Sequence, residues 1–417
     1  MNQQSTAIPK TPAYAWGIVF ALYMVTLSAT LNLFKVPPLM VTLNKEFSVT
    51  FVETGDLMGI FSIMGFVLAL PAGFILKKFG IKMTALISVA AVAIGPTIGA
   101  LATTFLMLKV GRFIEGVGMG LIMVTAPLAI SIWFPLQKTS LPTGIWATSV
   151  GIGNIVMLLI APLIDASFGW KYVWWLCAGF SALSFIIFAI MFRMPRADEM
   201  APAPAPPPGE DASPSLLQGM ANRSFWMIGI AFGCYNLVVM AVTNVYPSFL
   251  MEFRNFLPTF DKGPLMYASF VTAFVFGFSI ISSPIGGWIS DTIGKRKIMI
   301  IIPFTLVTLT FLFPFKVEGN MIPLYTFVFG ILHGPLAAVL LASVPEVAKK
   351  PQFIGIGMAI AIFVQNIGMF VAGILFPRIQ EAYAATAGLQ ESWAIAGYWM
   401  IPFCVLGIIA TLFVKVR

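Results

Sequence analysis

Apolar stretches of about 20 residues recur along the chain with short polar interruptions, and a helix of that length crosses a hydrocarbon core roughly 30 Å thick. Twelve such stretches predict helices at 14–36, 53–76, 83–105, 107–134, 141–164, 171–193, 223–250, 264–289, 297–316, 322–347, 352–377 and 392–415. The pattern breaks once at length. Between the sixth and seventh stretches runs RMPRADEMAPAPAPPPGEDASPSLLQGMANRS, whose proline, alanine and acidic content predicts an extended, solvated linker. The expected fold is therefore all-α and integral to a membrane, with twelve transmembrane helices in two six-helix, pseudo-symmetric bundles. The amino-terminal bundle spans 1–193, a cytoplasmic proline-rich linker 194–222, and the carboxy-terminal bundle 223–417. Repeated halves that rock about a site near the bilayer midplane have this organisation.

Composition strengthens this picture, because 59% of residues are hydrophobic and only 10% charged, far more apolar surface than a soluble globule could bury. The start, MNQQSTAIPKTPAYAW, lacks a basic stretch leading into a short apolar core and cleavage site, so the first span is expected to be retained. Cys177, Cys234 and Cys404 fall inside predicted spans without metal or redox spacing and read as packing residues. The net charge of +8 is distributed by membrane side rather than in a nucleic-acid patch. With the amino terminus in the cytoplasm, fifteen Lys and Arg fall on inner segments, seven on outer segments, and Lys35 and Arg112 within the membrane. That asymmetry predicts two cytoplasmic termini in a cell inner (plasma) membrane.

The halves share sequence. GFILKKFGIK from Gly73 and GWISDTIGKR from Gly287 each follow the second span of a half, with glycines at matching spacing. Aligning the fourth span with the tenth sets Glu115 on His333, Gly116 on Gly334 and Pro127 on Pro345. The run Gly287, Asp291, Gly294, Lys295, Arg296 resembles the inner-loop signature of the major facilitator superfamily, and RFIEGVGMG in the fourth span is similar to that superfamily's R-x-x-x-G-x-G-x-G pattern. FGWKYVWW resembles its usual start of the sixth span, so the likeness covers essentially the whole chain. Within the superfamily, GIGN (Gly151 to Asn154) and QNIG (Gln365 to Gly368) are similar to signatures of nitrate and cyanate porters, although glycines beside Asn154 and Asn366 are missing. The resemblance implies a transporter of a small solute, a small organic or inorganic anion, working by alternating access with proton coupling. Proton-coupled efflux of an amphipathic drug-like compound is the alternative.

Charge inside a bilayer costs roughly 2.5–3.5 kcal/mol per residue on insertion scales, which makes the few intramembrane ionisable groups the first candidates. Lys35 and Arg112 are placed to attract an anion at the outer half of the amino-terminal bundle, while a structural role for Arg112 and an interfacial, snorkelling Lys35 are the alternatives. Glu115 lies three residues from Arg112 and can neutralise it, or can carry a proton; His333, at comparable depth in the tenth span, is the second proton-coupling candidate and is expected to face Glu115. Tyr235, Asn236, Gln365 and Asn366 offer neutral hydrogen bonds to substrate, or between helices. By the resemblance, Asp291, with Gly287, Gly294 and Arg296, forms an inner gate. Asp291 is expected near the start of the fifth span at Pro142 and Thr143, and Lys77 replaces the acid in the first copy.

The chain contains no G-x-x-x-x-G-K-[ST] loop, no H-E-x-x-H and no G-x-S-x-G, which argues against an ATP-driven pump and an intramembrane enzyme. Expected partners are a small-molecule substrate, protons and the lipid bilayer. Neither a cofactor, nucleic acid nor a second subunit is implied.

Overall fold

The computed structural model describes residues 12–69, 71–134, 140–196, 219–253, 263–348 and 353–415. Among these, all regular structure is helical. The helices are α1 (Tyr14–Phe34), α2 (Met40–Phe47), α3 (Phe51–Ala69), α4 (Ala72–Ala100), α5 (Phe105–Trp133), α6 (Ser140–Phe168), α7 (Trp170–Met191) and α8 (Arg223–Thr243). They continue as α9 (Tyr246–Glu252), α10 (Pro264–Ile293), α11 (Arg296–Thr310), α12 (Met321–Val347), α13 (Ile354–Ala387), α14 (Leu389–Tyr398) and α15 (Ile401–Leu412). Most of the expected linker, residues 197–218, lies outside the described residues, as do both chain ends.

Among the described residues, eleven segments are long and apolar enough to cross a membrane, one fewer than the hydrophobic pattern predicts. The shortfall is the expected ninth span, which is the 15-residue α11. After Thr310 the backbone tightens into i→i+3 bonds, from the amides of Phe311, Leu312 and Phe313 to the carbonyls of Thr308, Leu309 and Thr310, and Pro314 then supplies no amide.

The first span, by contrast, runs from Tyr14 to Phe47, well past the expected end at 36. Pro37 and Pro38 remove two ladder amides and end α1, but proline suits the first turn of a new helix, so the chain restarts through a 3-10 turn (Pro37–Leu39) into α2. The seventh span repeats the device: α8 ends at Thr243 and α9 restarts at Tyr246 with Pro247 in its first turn. Lys35 caps α1 at φ −70°, ψ −25°, and Asn244 caps α8 at φ −71°, ψ −33°.

Helices α1, α3, α4, α5, α6 and α7 pack among themselves, as do α8, α10, α11, α12, α13 and α15. The main contacts joining the two sets are α3 on α13 and α6 on α10. Large apolar side chains such as Leu106, Ile190 and Trp288 point outward, as a lipid-facing surface requires. The repeated motifs have a local geometric purpose. Gly80 (φ 73°) breaks α4 and Gly294 (φ 66°) caps α10, and left-handed backbone of this kind favours glycine. Gly116 and Gly334 permit close helix approach: a Cβ on Gly116 would collide with the Phe61 carbonyl of α3, and one on Gly334 with Ser279 and Ser282 of α10.

Candidate functional site

The break at Pro37 determines what gathers around it. The Leu33 carbonyl loses its helical donor because residue 37 has no amide, and the end of α1 carries the partial negative charge of unsatisfied carbonyls. Arg112, projecting from α5, supplies the missing donors: Nη1 donates to Asn32 O at 2.6 Å, Nη2 to Leu33 O at 3.5 Å, and Nε reaches Leu57 O on α3 at 3.1 Å. Its guanidinium lies over Phe61, 4.4 Å from the ring centroid. One arginine thus ties α1, α3 and α5 together.

Glu115, one turn along α5, receives both cations. Arg112 Nη1 bonds Oε2 at 2.6 Å and Lys35 Nζ bonds Oε1 at 2.7 Å, and all three side chains are fully buried. Lys35 also donates to Asn32 Oδ1 at 2.6 Å and sits 4.7 Å from the ring centre of Trp174 on α7. Asn32 is oriented in turn by its amide, which donates to Ser28 O and Ser181 Oγ. Gly95 on α4 makes room for Glu115, since an added Cβ there would press on the Glu115 side chain.

Lys35 is therefore not an interfacial side chain reaching water. Because the helix continues to Phe47, the ammonium lies twelve residues short of the span's end, wholly enclosed. Glu115 has its own partners rather than His333. The His333 ring is engaged on the other set of helices: Nδ1 lies 3.1 Å from Tyr235 Oη, Phe276 and Phe329 pack beside it, and Nε2 has no hydrogen-bond partner among the described residues. Phe34, adjacent to Lys35, and Phe276, beside His333, are in ring contact at 5.8 Å, so the two clusters meet across this pair.

Of the neutral candidates, Gln365 Nε2 donates to Asn236 Oδ1 at 3.2 Å, extending the Tyr235 side of the site. Asn366 turns elsewhere, donating to Ile362 O and packing against Gly65 of α3 in the α3–α13 contact. Gly294 closes α10, Gly287 faces open space, and Arg296 Nε pairs with Glu346 Oε1, linking the start of α11 to the end of α12. The side chains of Asp291 and Lys77 lie outside the described part of the structure, and with them the expected approach to Pro142 and Thr143. Sequence reasoning missed Asn32, Phe61, Gly95 and Trp174. Only Asn32 carried a signal, as a polar side chain one turn before Lys35 on an apolar helix.

A chain of long apolar helices enclosing a buried ionic cluster is a multi-pass membrane protein. The family description that matches, Major Facilitator Superfamily, covers residues 22–373, and the chain belongs to that family. It is a transport protein, not an enzyme. Among relatives, it is 22% identical over 297 residues to the "Probable sulfoacetate transporter SauU" of Cupriavidus necator, covering 69% of this chain and 66% of that one. It is 23% identical over 244 residues to the "Nitrite extrusion protein" of Bacillus subtilis, covering 58% and 56%. The chain thus spans no more than about two thirds of the length of these curated relatives. Among solved structures, a bacterial homolog to the human lysosomal transporter Spinster, in its inward-facing, unoccupied conformation, superposes with a TM-score of 0.75 at 14% identity, covering 97% of this chain and 98% of that one.

Proposed function

We propose that the chain moves a small organic or inorganic anion across a cell inner (plasma) membrane by alternating access, coupled to protons and acting as a monomer. The observation that carries this reading is the imbalance of the buried cluster, in which Lys35 and Arg112 share one carboxylate, Glu115. An uncompensated cation is costly at membrane depth, and an incoming carboxylate, sulfonate or oxyanion offsets it. Glu115 occupies the place of a substrate's negative group. A proton on Glu115 frees Lys35 to bind that group, which links the two cargoes. The printed names of the sulfoacetate and nitrite relatives support the same chemistry.

In this scheme twelve spans form two six-helix bundles, 1–193 and 223–417, joined by a cytoplasmic linker at 194–222, with both termini inside. Lys35 and Arg112 on one side and Tyr235, Asn236, Gln365 and Asn366 on the other line the path. His333 is the second proton-accepting group, and Asp291 with Gly287, Gly294 and Arg296 forms the inner gate. Purified protein in proteoliposomes is expected to accumulate small carboxylates, sulfonates or nitrite only under a pH gradient. Glu115→Gln is expected to exchange substrate without accumulating it, with His333→Asn as the companion variant. Full accumulation by both variants would assign coupling to another group, and absence of anion flux in every condition would refute the reading.

A second reading, efflux of an amphipathic compound, is favoured by an apolar recess of about 300 Å³ between α6 and α10, lined by Ile155, Leu159, Phe270, Phe274 and Phe278. Flux of lipophilic cations, rather than anions, would select it.

A further inference from the structure

The two sets of helices carry the same break, yet the chemistry beside each break differs. The shift that carries Lys35 onto Asn244 also carries Val36 onto Val245 and Pro38 onto Pro247, and the helices ending there, α1 and α8, are both 21 residues long with the same cap conformation. The alignment of the fourth and tenth spans carries Glu115 onto His333 and, in the same register, Arg112 onto Gly330. Every member of the ionic cluster therefore has a counterpart, and each counterpart has lost its fixed charge.

Packing enforces the loss. A Cβ on Gly330 would stand 2.7 Å from the Val275 carbonyl of α10, so α12 admits no arginine there without moving its neighbour. The imidazole of His333, at the position that corresponds to Glu115, packs instead against the phenol of Tyr235 and the ring of Phe276. Asn244 is buried at the break, and Asn236, next to Tyr235 in sequence, adds amide donors and acceptors together with Gln365. Phe34 and Phe276 bring the charged and neutral copies together at the junction between the helix sets.

We infer that the substrate site is cationic on one side only, so that the transported anion is a monoanion whose far end is a hydrogen-bonding group rather than a second negative charge. This rests on the anion-transport reading and specifies it. Lys35, with Arg112 behind it, takes the single negative group; Asn244, Tyr235 and the unengaged Nε2 of His333 face the neutral end. A second carboxylate or sulfonate would be set against amides, a phenol and an imidazole with no fixed cation to offset its loss of water, and that desolvation is the larger effect in a buried site.

The test uses matched pairs in proteoliposome exchange: 2-hydroxyethanesulfonate against sulfoacetate, and lactate against malonate. Wild type is expected to prefer the hydroxylated monoanion of each pair by about tenfold or more, the scale of one charge-assisted hydrogen bond. Asn244→Lys installs the missing cation at the position corresponding to Lys35 and is expected to shift the ratio toward the dianion by a similar factor. Lys35→Gln is expected to abolish exchange of both members. Should Asn244→Lys fail to fold, as judged by gel filtration, the wild-type ratio decides the matter. Equal or greater exchange of the dianions by wild type overturns the one-sided site while leaving anion transport intact, and so does an unchanged ratio in folded Asn244→Lys. No exchange of any anion overturns both.

Discussion

Lys35 and Arg112 bear the same charge and touch the same carboxylate, but their remaining contacts assign them different work. Arg112 donates to three backbone carbonyls on two other helices, so its replacement strands those acceptors as well as Glu115. Breaking a buried ionic cluster by removing one partner costs about 3–5 kcal/mol. Arg112→Gln is expected to lower the thermal unfolding midpoint sharply, together with transport. Lys35 touches only side chains, and Lys35→Gln keeps a donor for Asn32 and Glu115; it is expected to retain most of the folded stability while losing anion uptake. Thermal denaturation and uptake measured on the same preparations check this, and equal stability losses would merge the two roles. The charged members of the cluster were legible from sequence because charges stand out in apolar runs. The pairing of Lys35 with Glu115 was not, since the two are 80 residues apart and the depth of Lys35 depends on a helix that carries on past two prolines.

Among the elements, the breaks at Pro37 and Pro247 were hardest to read, because proline near the end of an apolar run signals an exit from the membrane as readily as a restart. Their consequence is mechanical. Pro37→Ala restores an amide that competes with Arg112 for the Leu33 carbonyl, and the variant is expected to be more thermostable and slower in exchange. A faster carrier would show that the break is not a working joint. The end of α10 offers a second test. A carboxylate near a helix amino terminus contributes about 0.3–1 kcal/mol, and Asp291 is proposed to meet the start of α6 in this way, whereas Lys77 has the opposite sign. Asp291→Asn is expected to increase labelling of a cavity cysteine from the cytoplasmic side, with Lys77→Gln showing little change. Identical labelling in wild type and Asp291→Asn would remove Asp291 from the gate.

For the whole molecule, helical content, membrane class and family were all readable from hydrophobic length and from motifs whose glycines fulfil backbone requirements, as Gly80 and Gly294 do. The failure at α11 has a plain cause: hydropathy counts apolar residues and does not register where the backbone tightens. The two helix sets meet mainly through α3 with α13 and α6 with α10, and the first contact depends on missing side chains. A Cβ on Gly55 would lie 2.7 Å from the Gly373 carbonyl and 2.8 Å from Pro377 Cγ. Gly55→Val is therefore expected to part α3 from α13 near Gly373 and raise labelling of a cavity cysteine from the external side. Unchanged labelling would mean that this contact does not hold the sets together. The buried cluster adds an electrical property to the whole machine. Two cations around one carboxylate leave one elementary charge inside the low-dielectric core, and moving a full charge through the transmembrane field involves about 2.3 kcal/mol per 100 mV. In the proposed cycle the monoanion enters as a proton occupies Glu115, so proton and anion cancel and the loaded carrier keeps the one elementary charge of the empty one. Voltage would then act alike on the loaded and the empty carrier, and a full turn of the cycle would move no net charge across the membrane.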